Sequence, residues 1–237
     1  MTMNTYLTDT EARQSIIDIG RRMYERQFVA ANDGNISIRT GDGRIWVTPS
    51  GVSKGYMTEE MLLCVDMEGH VLEGHGKPSS ESGMHLRIYR ENPAVRAIVH
   101  AHPVTATSFA IARVPLDVAL MTESVIGLGV VPVAEYAVTG SPAIADSVVP
   151  FCRDYNALLL ANHGAVTWGT DPLQAWYRME TLECVAQVMK NLGYLDRPAH
   201  VLTRAQVAEL IAIREKLGVT AGGTPLCAED LTPADRA

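Results

Sequence analysis

No stripe of Lys and Arg runs through this sequence, and its formal charge is -7. A general affinity for polyanions is therefore not expected; nucleic acid is excluded as a partner, and any anion site has to be local. The four cysteines, Cys64, Cys152, Cys184 and Cys227, form no CxxC pair and match no zinc-finger spacing. They read as reduced thiols rather than a disulfide framework. No apolar run approaches the ~18 residues of a membrane span. The opening residues, MTMNTYLTDTEARQ, lack the basic and then apolar regions of a signal peptide. A cytoplasmic protein that does not engage membranes is expected. There is no internal repeat and no clean linker, and no GxGxxG follows an early strand, which disfavours a Rossmann dehydrogenase.

What is present is a mixture of helical and strand patterns along all 237 residues, read as a single α/β domain. Thr8-Asp9-Thr10-Glu11 offers a helix start, followed by Ile16, Ile17, Ile19, Met23 and Phe28 on a helical face. ANDGNISIRTGDGRIWVTPSG reads as loop, strand, Gly-Asp-Gly turn and strand, and a further strand pair is expected around Glu68-Gly69. SSESGMHLRIYREN predicts a helix with Ser79 or Ser80 as N-cap. AVRAIVHAHP predicts a strand and PVTATSFAIAR a helix; GVVPVAEYA and ALLLANHGAVTWG are further strands. DPLQAWYRMETLECVAQVMKNLG and TRAQVAELIAIREKLG predict the last two helices, and the tail after Gly218, rich in Gly, Pro and Asp, is expected to be loose.

The chemistry concentrates in AIVHAHP, residues 97–103. In a strand, positions i and i+2 face the same way, so His100 and His102 present two imidazoles on one face. Two readings stay open on spacing alone: a metal site, or one core histidine satisfied by the backbone beside one surface histidine. His163, at the end of the apolar run in LLLANHGAV, and Glu81, in the first turn of the helix begun by PSS, add a third imidazole and a carboxylate. Three imidazoles and one carboxylate suit zinc or another first-row divalent cation. His70 and His75, in a glycine-rich hairpin, read as solvated, and His200 as structural. His85, one helical turn after Glu81, is either a partner behind the ligands or a residue packed on the sheet.

Three short segments, Gly34-Asn35-Ile36-Ser37, Thr48-Pro49-Ser50-Gly51 and Lys77-Pro78-Ser79-Ser80, are rich in small polar residues. Hydroxyls, an amide and backbone N–H groups at element ends suit a phosphate. Each segment alone reads equally as a plain turn; the third is set apart because Glu81 follows it directly.

Taken in order, GNISIR, TPSG, KPSSE, VHAHP and ANHG resemble the class II aldolase/adducin family, which includes L-fuculose-1-phosphate aldolase and L-ribulose-5-phosphate 4-epimerase. The resemblance runs from about residue 10 to about residue 215. It implies a three-layer α/β/α fold whose central mixed sheet is mostly antiparallel, in a homotetramer with active sites at subunit interfaces. It also implies one divalent metal per chain, Zn2+ before Mn2+ or Co2+, held by Glu81, His100, His102 and His163. Glu81 would double as acid/base, and Asn35, Ser50, Gly51, Ser79 and Ser80 would hold the phosphate of a sugar substrate.

Glu at position 81, where the epimerase branch carries Asp, favours the aldolase branch. The tyrosine that fucose-type aldolases lend from a neighbouring subunit has no counterpart. Met121 stands at its place in LDVALMTESV, and the last tyrosine is Tyr194. Glu123 is the acid of that segment able to substitute, against the alternative of an ordinary surface glutamate. The function implied is cleavage of a ketose 1-phosphate of fuculose, 5-deoxyribulose or methylthioribulose type to dihydroxyacetone phosphate and an aldehyde. The apolar VPLDVALM segment suits a deoxy or thiomethyl aldehyde. Alternatives are a decarboxylase of a phosphorylated sugar acid, a pentulose-5-phosphate 4-epimerase, and a non-catalytic adducin-like interaction module.

Overall fold

The computed structural model describes residues 6–232. Helix α1, Asp9–Glu25, begins where the sequence places it: the Thr8 hydroxyl accepts from the Glu11 N–H and Glu11 reaches back to Thr8, a reciprocal cap. Strands β1, Asn35–Arg39, β2, Ile45–Val47, β3, Leu63–Val65, and β4, Val71–Glu73, follow as meanders. Helix α2, Ser82–Glu91, leads to β5, Ala97–Ala101. Then come α3, Val104–Ala112, α4, Thr122–Gly127, β6, Val133–Ala134, and α5, Pro142–Ser147. Strands β7, Ala157–Leu160, and β8, Gly164–Gly169, precede α6, Pro172–Leu192, and α7, Arg204–Lys216.

The strands form one sheet in the order β4-β3-β2-β1-β5-β8-β7-β6, antiparallel throughout except for the β6–β7 pair. Period-2 alternation sorts its side chains between two cores. Ile36, Ile38, Val99, Ala101 and Leu159 pack with α1, α3 and α6. Val47, Ile98, Leu158, Val166 and Trp168 pack on the other face with α2 and α5. This is the three-layer α/β/α arrangement with a mixed, mostly antiparallel sheet. The alternation also puts Asn35, Ser37 and His100 on the α2 face, and register pairs Asn35 with His100 across β1 and β5.

Several local expectations are corrected. The cap of α2 is Glu81 itself, not Ser79 or Ser80; the Ser79 hydroxyl instead accepts from the Glu81 N–H at 3.3 Å. ALLLANHGAVTWG is not one strand but two, because Asn162 adopts a left-handed φ of 56° and turns the chain at His163. GVVPVAEYA contributes only the two residues of β6. Residues 219–232, the described part of the tail, are tied down rather than loose. Gly222 donates to Asp154 O and accepts from Val130 N, and Leu226 donates to Asp117 O and accepts from Ala119 N. Cys227 is buried with Ala119, Val125 and Val207 in a third core between α4 and α7. Among the described residues no helix is long and apolar enough to cross a membrane.

Candidate metal centre and active-site cleft

His100 lies near the end of β5 and is fully buried. Its Nδ1 donates to the Ala165 carbonyl at 2.9 Å, which leaves Nε2 aimed away from β8. That nitrogen lies 3.0 Å from Nε2 of His102 and 3.2 Å from Oε2 of Glu81. His163 brings its Nε2 to 3.3 Å from Glu81 Oε1. The ligand nitrogens of His100, His102 and His163 all lie within 4.8 Å of one another. Two imidazole nitrogens 3.0 Å apart cannot both point lone pairs at each other without a cation between them, whether a proton or a metal. The three imidazoles therefore form a set able to hold a divalent ion, and the Glu81 carboxylate lies beside it. Glu81 Oε1, buried and without a hydrogen-bond partner, is a second mark of the same fit.

The electrostatics follow from burial and this crowding. Burial alone would raise the Glu81 carboxyl. The charge and hydrogen bond of His100, the charge of His163 and the Asn35 amide, 2.8 Å away, hold it well below the usual carboxylate range. His100 goes the other way. Desolvation opposes its charge, but Glu81 and the Ala165 carbonyl raise it. His102 and His163 are each pushed down to about 4 by desolvation and then by repulsion from His100. Two of the three imidazoles are thus neutral at pH 7, the form that binds metal.

Local structure explains how the ligands converge. Gly34, with φ of 73°, passes so close to β5 that a Cβ would stand 2.8 Å from the His100 carbonyl oxygen. This delivers Asn35 directly opposite His100. Pro103 ends β5, and the Thr105 and Ala106 N–H groups that open α3 donate to the buried Glu183 carboxylate at 3.1 and 2.8 Å. The segment leaving His102 is thereby fixed to α6.

Beside the ligands lies a polar cleft of about 300 Å³. Asn35, Ser50, Gly51, Ser79 and Ser80 all line it, together with Glu81, His102 and His163. Two of the predicted anion-binding segments are joined by their backbones: Ser50 N donates to Lys77 O at 2.9 Å and Ser79 N to Thr48 O at 3.2 Å. Glu123 is not brought there within the chain; it is exposed on α4 and accepts from the Thr122 hydroxyl at 2.9 Å. Met121 packs against the sheet core instead of the cleft. His85 is buried under the sheet, with Nδ1 2.7 Å from the Ser37 hydroxyl, which also meets Tyr89. His70, His75 and His200 are exposed.

Four cleft residues escaped the sequence reading. Asp33 approaches His102 Nδ1 at 3.5 Å, and Asn32, Lys54 and Thr139 line the walls. Asp33, directly before Gly34-Asn35, was open to detection by adjacency. Lys54 and Thr139 carry no local pattern.

Known proteins give a consistent picture. Residues 14–189 match the model of the class II aldolase and adducin N-terminal domain. The chain is 37% identical over 209 residues to the 3-oxo-tetronate 4-phosphate decarboxylase of Haemophilus influenzae, covering 86% of this chain and 98% of that one. It is 36% identical over 179 residues to the L-fuculose phosphate aldolase of Methanococcus maripaludis, covering 74% and 96%. A solved L-fuculose 1-phosphate aldolase superposes with a TM-score of 0.80 at 29% identity, covering 90% of this chain and 98% of that one.

Proposed function

The chain belongs to the class II aldolase and adducin family, and on that premise we propose that it is a metal-dependent lyase that cleaves a ketose 1-phosphate to dihydroxyacetone phosphate and an aldehyde. The observation that carries the reading is the position of Glu81. Its carboxylate is shared between His100, His163 and Asn35 and lies on the rim of the Ser50–Gly51 and Ser79–Ser80 cleft. A complete ligand set beside an anion cradle favours an enzyme over a non-catalytic module.

Glu81, His100, His102 and His163 would hold the cation, zinc in this reading with Mn2+ or Co2+ as alternatives, and when bound it supplies Lewis acidity at the substrate carbonyl. Asn35, Ser50, Gly51, Ser79 and Ser80 hold the phosphate and so set the distance between substrate and Glu81. Retro-aldol cleavage leaves an electron pair on the carbon next to the carbonyl. Glu81, a carboxylate at rest, accepts a proton in the cycle and delivers it to that carbon. A hydroxyl proton of the departing aldehyde half is lost in the same turnover. Homotetramer formation belongs to this reading, because it would let a neighbouring subunit complete the wall that accepts the aldehyde; the exposure of Glu123 on α4 is compatible with a role in a neighbour's cleft.

A second reading, decarboxylation of a phosphorylated 3-oxo sugar acid, is favoured by one feature: no tyrosine lines the cleft among the described residues, and loss of carbon dioxide requires no acid on a departing aldehyde. The test is a substrate panel. L-fuculose 1-phosphate, 5-deoxyribulose 1-phosphate and its methylthio analogue are assayed for dihydroxyacetone phosphate, and a 3-oxo sugar acid phosphate for carbon dioxide, with and without chelator. Metal-dependent release of dihydroxyacetone phosphate supports the aldolase reading. Carbon dioxide release with no ketose cleaved replaces it by the decarboxylase.

A further inference from the structure

Among the described residues Lys54 is the one Lys or Arg that lines the cleft, and it is 2% exposed. It sits in a single 3-10 turn, Lys54–Tyr56, that packs on α1 between β2 and β3. Its Nζ donates to Asn32 O at 2.8 Å and to Val52 O at 2.7 Å. Asn32 leads into Gly34-Asn35, and Val52 follows Ser50-Gly51, so one ammonium joins two of the loops that line the cleft.

An ammonium has three donors, and these carbonyls take two. Neither carries a formal charge. Among the described residues no carboxylate lies within ion-pair distance of Nζ, the nearest influence being a weak one from Asp33. A buried cation without a counter-charge is costly, and here desolvation pulls the amine down to about 8. Ser50, Gly51, Ser79 and Ser80 line the same cleft as donors without charge, while Asp33 and Glu81 line it as carboxylates. A dianion held by those four residues would have Lys54 as the one Lys or Arg of the lining to offset its charge.

We propose that Lys54 is the charge-bearing member of the phosphate subsite, its third N–H directed to the substrate's phosphoryl group between the Ser50–Gly51 and Asn35 loops. This rests on the sugar-phosphate reading above and adds to it a residue that converts a neutral cradle into one selective for dianions. The alternative is a structural staple that holds two loops together and never meets the ligand.

Sulfate separates the two, because it stays a dianion from pH 6 to 10 and is not turned over. Its dissociation constant is measured by titration calorimetry on the purified, metal-replete protein from pH 7 to 9.5. Asp33, Glu81, His102 and His163 face the same cleft, as would a metal-bound water, so Lys54→Arg, whose guanidinium stays charged across the window, is the control that assigns the pH dependence to Lys54. The ligand-bound lysine holds its proton more tightly than the free one. Sulfate affinity should therefore fall as pH rises past about 8, approaching about tenfold per unit. Lys54→Arg should flatten that profile while keeping affinity at pH 7, and Lys54→Met should lose about tenfold or more at pH 7.

A staple alone predicts weaker binding in Lys54→Met but a flat wild-type profile. A flat wild-type profile, or wild-type affinity in a folded Lys54→Met protein, overturns the proposal. A falling profile that persists unchanged in a folded Lys54→Arg protein also overturns it, because the titration then belongs to another group; a flat wild-type profile decides even where no variant folds. Sulfate binding of the predicted form without any lyase activity would sink the reaction and leave this subsite standing, whereas active enzyme with a flat profile would do the reverse.

Discussion

Gly164 leaves empty the space that the ring of His102 needs. A Cβ at Gly164 would stand 2.5 Å from His102 Cδ2 and 2.5 Å from the Ala101 carbonyl oxygen. The glycine after His163 therefore serves the other histidine pair, by letting the second imidazole lie against β8. Gly164→Ala should cost about 1–3 kcal/mol through overpacking and should swing His102 away from His100. Thermal unfolding with parallel elemental analysis checks this; a variant with unchanged melting temperature and metal content would show that the ring has room to spare.

Glu81→Gln should keep the fold and part of the bound metal but lose turnover. The amide oxygen still faces His100 and His163, yet it takes up no proton near neutral pH. Loss of general acid–base action costs ~10²–10⁴-fold in rate. Kinetics on whichever substrate the panel identifies, with metal content measured on the same sample, are the check. Turnover within a few-fold of wild type would reduce Glu81 to a ligand.

His85 makes stability depend on pH in a defined direction. Burial, helped by the charge of His100, pushes its imidazole down from 6.5 to about 3. Between those values the unfolded chain takes up a proton at His85 that the native protein refuses, so stability rises with pH across the window and is lost on acidification. In the metal-free protein, urea midpoints from pH 7 to 4.5 should fall more steeply for wild type than for His85→Gln, by up to about 1.4 kcal/mol per pH unit. Parallel slopes would mean that His85 takes up its proton in the native state as readily as in the unfolded chain.

The residues that converge at the candidate metal centre were legible because their spacing brings them together. His100 and His102 share a face by the strand repeat, and His163 and Glu81 sit at ends of regular elements, where polar groups collect. The helices α1, α2, α3, α6 and α7 and most strands announce themselves by apolar periodicity and, for α1, α6 and α7, by caps at Thr8, Asp171 and Thr203. What stayed hidden was non-local. Helix α4 has six residues and Met121 in place of a capping side chain. The tail reads as loose because its order comes from Leu226 pairing with Asp117 and Ala119, more than a hundred residues earlier in the chain. Lys54 looks like a surface lysine in GVSKGY until α1 closes over its turn. Glu81, placed one turn into a helix by its neighbours Ser79 and Ser80, caps that helix instead because the Pro49–Pro78 bridge holds the preceding segment extended.

Elemental analysis of the purified protein against His102→Ala tests most directly the proposed metal centre, in which Glu81, His100, His102 and His163 would hold one cation. The account predicts about one divalent ion per wild-type chain. In the variant it predicts a large loss of metal with circular dichroism unchanged. Equal metal content in the two proteins, or a wild type that binds none when supplied with zinc, manganese or cobalt, would contradict it.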